Sequence, residues 1–221
     1  MARNKPVDPV LVIGLGRFGS ALAESLVELG HEVLAVDGDA KRVQHWSGRL
    51  TSVVEADSTS EEALRQVGAA DFNRAVVAIG ADIQASILTT AVLVDLGIEH
   101  IWAKAMTRAH GQILERVGAT RVVFPEHDMG ERVAHMVTGR MVDYVELDDT
   151  FAIVETTAPR DLVGRTLGQA QVRHKHGVTI VCIKPYGGSF TYATADTRVE
   201  AGDLLVVAGE TARAERFARM M

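Results

Sequence analysis

The residues with the clearest chemical meaning form the glycine-rich stretch GLGRFG, which spans residues 14–19 and includes Phe18. It lies between an apolar run and an amphipathic segment, which is the strand–turn–helix context of phosphate-binding loops. Gly14 permits a tight turn, Gly16 leaves the backbone accessible, and Gly19 lets the helix pack closely on the strand. The helix start offers N–H groups and a partial positive charge to an anion. The stretch therefore predicts a phosphate-binding turn.

An acidic residue, Asp37, ends the second apolar run, about 20 residues after the glycine-rich stretch, where ribose-binding carboxylates occur. A carboxylate there accepts hydrogen bonds from both ribose hydroxyls and disfavours a 2′-phosphate. Taken alone, Asp37 could also cap a turn before Gly38. Together with the glycine-rich stretch it favours an adenosine ligand. Asp39 is a second candidate for the ribose, although aspartates in solvated turns are common.

Two basic residues are candidates for contact with phosphate. Arg17 lies inside the glycine-rich stretch, where an arginine can form charge-assisted hydrogen bonds to a phosphate. Its alternative is a surface position over the start of the helix. Lys104 follows the fifth predicted strand and could reach a phosphate, or could be an ordinary solvated lysine.

The remaining candidates follow the third and fourth predicted strands. Asp57 and Ser58 come after the third strand, where the adenine lies in such folds, and Asp57 could accept a hydrogen bond from the adenine amino group. Ser58 and Thr59 have the alternative role of capping the next helix. Ile79 and Gly80 end the fourth strand, and a glycine there leaves room beside the loop.

Short apolar runs alternate with helical patterns through the first half of the chain, which predicts a parallel sheet covered by helices on both faces. Continuous apolar strands agree with burial on both sides. The predicted strands span residues 10–13, 33–36, 52–55, 74–79, 100–103 and 121–124. The predicted helices span residues 19–29, 40–48, 60–67, 82–96 and 109–117. This is the α/β pattern of a Rossmann-type domain.

A longer helix is expected after Pro125. Asp128, with Glu131 three residues later, resembles a capping box at its start. An apolar stripe then falls on one face of the helix: Met129, Val133, Met136, Val137 and Met141. The stripe can pack on the helix's own sheet, or the helix can leave the domain and pack on a second subunit.

The pattern changes after this helix to closer-spaced strands, which predicts a small C-terminal α+β domain. The strands are expected at residues 151–156, 178–183, 190–193 and 204–208, with helices at residues 166–171 and 211–220. We therefore expect a nucleotide-binding domain over residues 1–142 and a second domain over residues 143–221.

Composition excludes several classes of function. A formal net charge of −6 argues against a nucleic-acid-binding protein, which needs clustered Lys and Arg. Cys182 is the only cysteine, so the chain has no internal disulfide and no cysteine-based metal cluster. The pattern also predicts no secretory leader and no run of roughly 20 apolar residues that could cross a bilayer. A membrane role would therefore act through a partner.

An NAD-dependent oxidoreductase is the enzyme alternative. It would need a substrate domain and a proton-transfer residue facing the nicotinamide. The C-terminal segment shows no evident His–carboxylate or Tyr–Lys arrangement, so the sequence predicts a binding protein and not an enzyme.

Five segments together resemble the RCK (TrkA-N plus TrkA-C) family of regulatory subunits in Ktr/Trk potassium uptake systems. They are GLGRFG, HEVLAVD at residues 31–37, VAIGADIQAS at residues 77–86, WAKA at residues 102–105 and FPEHDMG at residues 124–130. The arginine within the glycine-rich stretch resembles the Ktr branch in particular.

This resemblance implies a homo-octameric cytoplasmic ring, a tetramer of dimers, bound beneath a membrane potassium translocator. It implies ATP and ADP as competing ligands, with NAD or NADH as the alternative seen in Trk-type relatives. Arg17 and Lys104 would meet the terminal phosphates and Asp37 the ribose. Glu126, which could also be a plain helix-terminus glutamate, would hold Mg²⁺ or Ca²⁺, hard cations that suit carboxylate and phosphate oxygens.

The resemblance also extends to the C-terminal domain, which in some family members binds cyclic di-AMP. Candidate contacts are Val172, Arg173 and His174, together with the strand at residues 178–183. Ligand-binding versions often have prolines in the segment that here spans residues 189–197, and this chain has none there.

Overall fold

The computed structural model describes residues 8–138 and 141–220. The chain divides into two compact units, of which the first ends at Glu126 and the second begins at His127. The domain boundary expected after residue 142 stays a prediction.

Within the described residues, six parallel strands form the sheet of the first unit. They are β1 (Val10–Ile13), β2 (Val33–Asp37), β3 (Ser52–Glu55), β4 (Arg74–Val77), β5 (His100–Lys104) and β6 (Arg121–Val123). The helices are α1 (Arg17–Glu28), α2 (Ala40–Trp46), α3 (Glu61–Gln66), α4 (Ile83–Asp95) and α5 (Arg108–Val117). The strand order β3-β2-β1-β4-β5-β6 is that of a Rossmann fold, as the sequence predicted.

Apolar side chains cover both faces of this sheet. Alternate residues of β1 enter two separate cores, with Leu11 and Ile13 in one and Val10 and Val12 in the other. Successive side chains of a strand point to opposite faces, so both faces are buried against helices. This confirms the doubly covered parallel sheet.

The second unit contains an antiparallel sheet with the order β10-β9-β11-β8-β7. Its strands are β7 (Met141–Asp148), β8 (Phe151–Thr157), β9 (Val178–Lys184), β10 (Thr191–Tyr192) and β11 (Leu204–Glu210). Helix α6 (Pro125–Thr138) starts with the last two residues of the first unit and continues into the second. The other helices are α7 (Leu167–Ala170), α8 (Val172–His176) and α9 (Thr211–Ala218). Phe217 of α9 is almost fully buried in the core of this unit. The predicted α+β domain is therefore present.

The start of α6 differs from the sequence-based prediction. The helix begins at Pro125, a residue that suits the first helical turn because an N–H there would have no intrahelical partner. Asp128 lies inside the helix, so the predicted capping box with Glu131 is wrong. His127 instead lies beside both carboxylates, with Nδ1 at 3.8 Å from Asp128 and 3.5 Å from Glu131.

The apolar stripe of α6 is also divided. Met141 is not part of the helix but the first residue of β7, buried in the C-terminal core. Met136 packs against the same core, whereas Met129, Val133 and Val137 are exposed. The side chain of Arg132 forms a bidentate ion pair with Asp143 of β7, which joins the helix to the strand.

Candidate nucleotide site

A cleft of about 1020 Å³ opens at the carboxyl ends of the parallel strands. It lies where the strand order reverses between β1 and β4, the position at which open α/β sheets bind ligands. Eleven of the thirteen predicted site residues line it: Gly14, Gly16, Arg17, Phe18, Asp37, Asp57, Ser58, Ile79, Gly80, Lys104 and Glu126. The two that do not are Gly19 and Asp39.

The glycine-rich turn has a different requirement at each glycine. Gly14 has φ +97°, a conformation that L side chains rarely adopt. A Cβ atom on Gly19 would lie 1.8 Å from the carbonyl oxygen of Gly14, so this glycine allows helix and turn to touch. A Cβ on Gly16 would meet no atom within 4 Å. Gly16 is therefore not needed for packing, and its open side leaves space for a ligand.

Helix α1 begins two residues earlier than the sequence predicted, with Gly16 as its N-cap and Arg17 as its first residue. The first turn has no acidic residue, and the Gly16 N-cap makes no side-chain hydrogen bond. Consequently, no carboxylate within this turn accepts hydrogen bonds from its N–H groups. The turn presents N–H groups and the guanidinium of Arg17 at the cleft.

The carboxylate of Asp37 is buried and held by the backbone. Oδ2 accepts a hydrogen bond from the N–H of Leu15 at 2.6 Å, and Oδ1 accepts one from the N–H of Asp39 at 2.8 Å. These bonds tie the end of β2 to the glycine-rich turn and fix the carboxylate at the cleft. The alternative that Asp37 merely caps a local turn accounts for the second bond but not for the first.

Asp39 has a structural role in this arrangement. Its carboxylate accepts a hydrogen bond from the N–H of Lys41 at 2.9 Å and caps α2. It does not line the cleft.

Arg42 is a lining residue that sequence reasoning missed. Its guanidinium lies 3.3 Å from Oδ2 of Asp37 and 3.6 Å from Oδ2 of Asp39. The sequence carries no distinctive signal for it, because Arg42 is simply a basic residue near the start of the short helix α2. The remaining residues that line the cleft, and that the sequence did not indicate as site residues, are Ile13, Val36, Gly38, Glu55, Ala56, Thr59, Ala78, Ala81, Asp82, Ala85 and Met106.

Lys104 and Glu126 form an ion pair at the other end of the cleft, with Nζ 2.5 Å from Oε1. The Lys104 side chain is only 9 % exposed, so it is not the solvated lysine that the sequence left open, whereas that of Glu126 is 53 % exposed. The hydrogen bond from Lys104 lowers the pKa of Glu126 below its ordinary value, and the charge of Arg17 adds to the effect. The Lys104 ammonium also lies 5.7 Å from the centre of the Phe18 ring. Two cationic side chains, Arg17 and Lys104, and one carboxylate, Glu126, thus lie at this end of the cleft.

Asp57 and Ser58 face the cleft from the end of β3. The backbone N–H and the hydroxyl of Thr59 both donate to Oδ1 of Asp57, which lowers the pKa of that carboxyl. Ser58 shares a hydrogen bond with Thr89 at 2.8 Å. Ser60 is the residue that caps α3, so the alternative that Ser58 and Thr59 cap this helix is wrong.

The end of β4 is closely packed against the strand beside it. A Cβ on Gly80 would lie 3.0 Å from Sδ of Met106 and 3.2 Å from Nζ of Lys104. The absence of a side chain at Gly80 therefore lets both side chains reach the cleft, as the sequence suggested for this glycine.

A second, smaller cleft of about 590 Å³ lies in the C-terminal unit. Val172, Arg173 and His174 line it with Val178, Thr179 and Ile180 of β9. These are residues that the sequence analysis named for a second ligand.

Among the residues that the structure describes, no group of three or more His, Cys, Asp or Glu side chains is placed to hold a metal ion. None of the helices in that part of the chain has both the length and the apolar character required to cross a membrane.

The fold and the cleft define a class: a Rossmann-type nucleotide-binding domain followed by a small α+β domain. Residues 10–125 match the TrkA-N domain model, and residues 151–221 match the TrkA-C domain model. The chain is 40 % identical over 207 residues to Ktr system potassium uptake protein A of Bacillus subtilis, covering 93 % of each chain. It is 35 % identical over 199 residues to the protein of the same name from Vibrio alginolyticus, covering 90 % of each chain.

The chain belongs to the Ktr family of potassium uptake proteins, with the TrkA-N and TrkA-C domains of that family. This confirms the resemblance found in the sequence. The relatives just described are named as potassium uptake proteins and not as enzymes, which agrees with the rejection of an oxidoreductase.

Solved structures show the same fold. The GsuK RCK domain superposes with a TM-score of 0.68 and 19 % identity, covering 99 % of this chain and 48 % of that one. The GsuK channel bound to NAD gives a TM-score of 0.67 at 18 % identity, covering 100 % of this chain and 41 % of that one. The chain thus spans less than half of the GsuK chains that it resembles.

Proposed function

We propose that this chain is the nucleotide-sensing regulatory subunit of a potassium uptake system, and that ATP and ADP compete for the cleft of its first unit. The observation that carries the proposal is the charge at one end of that cleft. Arg17 stands at the positive end of α1, and the buried Lys104, which lines the same cleft, pairs with the acidic side chain of Glu126. This arrangement suits a ligand with several negative charges.

The electrostatics of α1 support a phosphate ligand. A cation at a helix N-terminus is unfavourable by about 0.3–1 kcal/mol, because the helix macrodipole is positive there. Arg17 occupies this position without an acidic residue in the first turn. A phosphate bound to the N–H groups of the turn would place a negative charge beside Arg17, so that Arg17 would be attracted to this position instead of repelled from it. The open side of Gly16 leaves the space for that phosphate.

The remaining residues fit the other parts of an adenine nucleotide. The buried carboxylate of Asp37 would hold the ribose, and Asp57 and Ser58 would face the adenine. Arg17 and Lys104 would bind the terminal phosphates. Glu126 is a single carboxylate, so a Mg²⁺ or Ca²⁺ ion there would need phosphate oxygens from the nucleotide to complete its ligands.

NAD is the alternative ligand, supported by the shared fold with GsuK, which is known in an NAD-bound structure. A dinucleotide would place its second nucleoside beyond the pyrophosphate, across the two halves of the sheet. In this chain the charged side chains of Lys104 and Glu126 occupy that end of the cleft. Charged groups are better suited to a terminal phosphate than to a nicotinamide ring, which favours ATP and ADP.

Membership of the family supports a proposal for the partner and for the assembly. Its relatives are potassium uptake proteins of the Ktr system, so we propose a cytoplasmic subunit that binds a membrane potassium translocator. We propose a homo-octameric ring, and exchange of ADP for ATP would change its shape. A ligand can shift such an equilibrium only by binding the two shapes with different affinity, and a nearly complete shift needs on the order of 5 kcal/mol in total. Several nucleotides in one ring could share that difference.

Isothermal titration of the whole chain with ATP, ADP, NAD and NADH tests the proposal. We expect ATP and ADP to bind more tightly than NAD or NADH. Arg17→Ala should weaken the binding of ATP about tenfold more than the binding of ADP, since a charge-assisted hydrogen bond contributes about 1.5–3 kcal/mol. Arg116→Ala, an exposed arginine of α5, is the matched control. Equal losses of affinity for ATP and for ADP would show that Arg17 does not bind the terminal phosphate.

The cleft of the C-terminal unit supports a second, subsidiary proposal that cyclic di-AMP binds there. Val172, Arg173 and His174 line it as the sequence analysis expected. Titration with cyclic di-AMP tests this directly, and Arg173→Ala should abolish any binding found. An absence of heat at millimolar ligand would reject it.

A further inference from the structure

His110 is a buried histidine near the nucleotide cleft that does not itself line it. It lies in the first turn of α5, and the whole residue is only 2 % exposed. Its ring Nδ1 lies 3.3 Å from the backbone nitrogen of Met106. A backbone N–H can only donate, so Nδ1 is the acceptor of this hydrogen bond.

This hydrogen bond fixes the protonation of the ring. A neutral imidazole has one donor and one acceptor nitrogen, so an accepting Nδ1 leaves the proton on Nε2. Burial lowers the pKa of His110, which keeps the ring neutral and Nδ1 able to accept. Nε2 is buried and has no hydrogen-bond partner among the described residues. An unpaired buried nitrogen costs free energy, and a leucine at this position would not have that cost.

The same residue takes part in a reciprocal cap of α5. The hydroxyl of Thr107, the N-cap, accepts a hydrogen bond from the backbone N–H of His110 at 3.1 Å. The side chain of His110 reaches back to the N–H of Met106, one residue before the N-cap, whereas the glutamate of a capping box bonds to the N–H of the N-cap itself. Both bonds hold the turn that follows β5.

That turn presents two side chains to the cleft. Lys104 is the last residue of β5, and Met106 follows it by two positions. Both line the cleft, and Sδ of Met106 and Nζ of Lys104 lie close to Gly80. A bond to the backbone of Met106 therefore restrains the segment that carries the phosphate-binding ammonium.

We infer that His110 is a positioning residue for the terminal-phosphate end of the cleft, acting through its hydrogen bond with the backbone of Met106. This inference rests on the proposed function, because it concerns the same cleft. It extends that proposal to a residue that does not touch the ligand.

Two measurements on the ligand-free protein test the geometry alone. Nitrogen-15 spectra of the wild-type imidazole should show a protonated Nε2 and an unprotonated Nδ1. Amide hydrogen exchange at Met106 should be slow in the wild type and in His110→Asn, because the Asn side-chain oxygen can replace Nδ1 as acceptor. It should be at least tenfold faster in His110→Leu. A proton on Nδ1, or equal exchange in Asn and Leu variants, would overturn the inference without any reference to nucleotides.

Titration with ATP and AMP then tests the link to the phosphate end. We expect His110→Leu to weaken ATP at least fivefold and to leave AMP unchanged, with His110→Asn close to the wild type. Equal weakening of ATP and AMP would mean a general loss of structure and would contradict a positioning role. If the wild-type chain binds no nucleotide, the proposed function is wrong. The spectra and exchange rates would still test the hydrogen bond between His110 and Met106.

Discussion

The ammonium of Lys104 is buried, but the carboxylate of Glu126 with which it pairs is half exposed. The two partners therefore differ in how easily each can leave the contact. Glu126 can move into solvent at little cost, whereas Lys104 cannot remain buried without a negative partner. An incoming phosphate could thus take the place of Glu126 beside Lys104.

Glu126→Gln should destabilise the ligand-free protein by about 1–2 kcal/mol. Breaking a fully buried pair costs about 3–5 kcal/mol, and the exposure of Glu126 reduces this. Added ATP should raise the melting temperature of the variant more than that of the wild type, because a phosphate supplies the missing negative charge. Glu131→Gln, at an exposed carboxylate of the same helix, serves as the control in thermal unfolding. Indistinguishable melting of the two variants would show that the pair contributes nothing.

Alanine at Gly16 and at Gly19 should give opposite results. Gly16→Ala should fold normally, because its Cβ meets no atom, and should weaken ATP at least tenfold by filling the ligand's space. Gly19→Ala should destabilise the chain by more than about 3 kcal/mol, since its Cβ would overlap the backbone of Gly14. Circular dichroism melts and ATP titration measure the two effects. Normal ATP affinity in Gly16→Ala would place the phosphates elsewhere.

Arg42→Ala should strengthen the binding of AMP about two- to fivefold. The guanidinium of Arg42 competes with the ribose for the carboxylate of Asp37. Because Arg42 is exposed, its ion pair with that carboxylate contributes about 0.2–1 kcal/mol. Lys41→Ala, at the preceding residue, is the control. If AMP binds more weakly to Arg42→Ala, the arginine contacts the nucleotide directly.

The C-terminal unit should loosen at low pH around Asp143. The hydrogen bonds from Arg132 lower the pKa of Asp143 below its ordinary value of 3.8. The stabilisation, about 1 kcal/mol for this partly exposed pair, is fully present only well above the ordinary pKa and is lost as the pH falls through the lowered pKa. Amide exchange in β7 and β8 at decreasing pH measures it. Asp143→Asn should remove this pH dependence, whereas Asp149→Asn should not. An unchanged pH profile in Asp143→Asn would assign the effect to another group.

Much of the first unit could be predicted from the sequence because its signals are local. The glycine spacing fixed the turn, and the apolar runs located all six strands to within a few residues. The pairing of Lys104 with Glu126 could not be predicted, because the two residues lie on different elements and only the folded sheet brings them together. Arg42 was missed for a related reason: a basic residue on a short helix has no distinctive local pattern.

The region around α6 shows where periodicity misleads. Met141 continues the helical spacing of Met129, Val133 and Val137, yet it begins β7. Apolar spacing alone cannot separate the last turn of a helix from the first residues of an alternating strand. Pro125 was the better indicator of the helix start, since proline is favoured in a first turn.

The close contact between Gly19 and Gly14 opposes any shift of the first turn of α1 against the turn that follows β1. Every nucleotide that enters therefore meets the same backbone surface, whatever the number of its phosphates. Selectivity between ligands must then arise at the movable side chains around the rim, and mutations that alter which nucleotide is preferred should fall there and spare the turn itself.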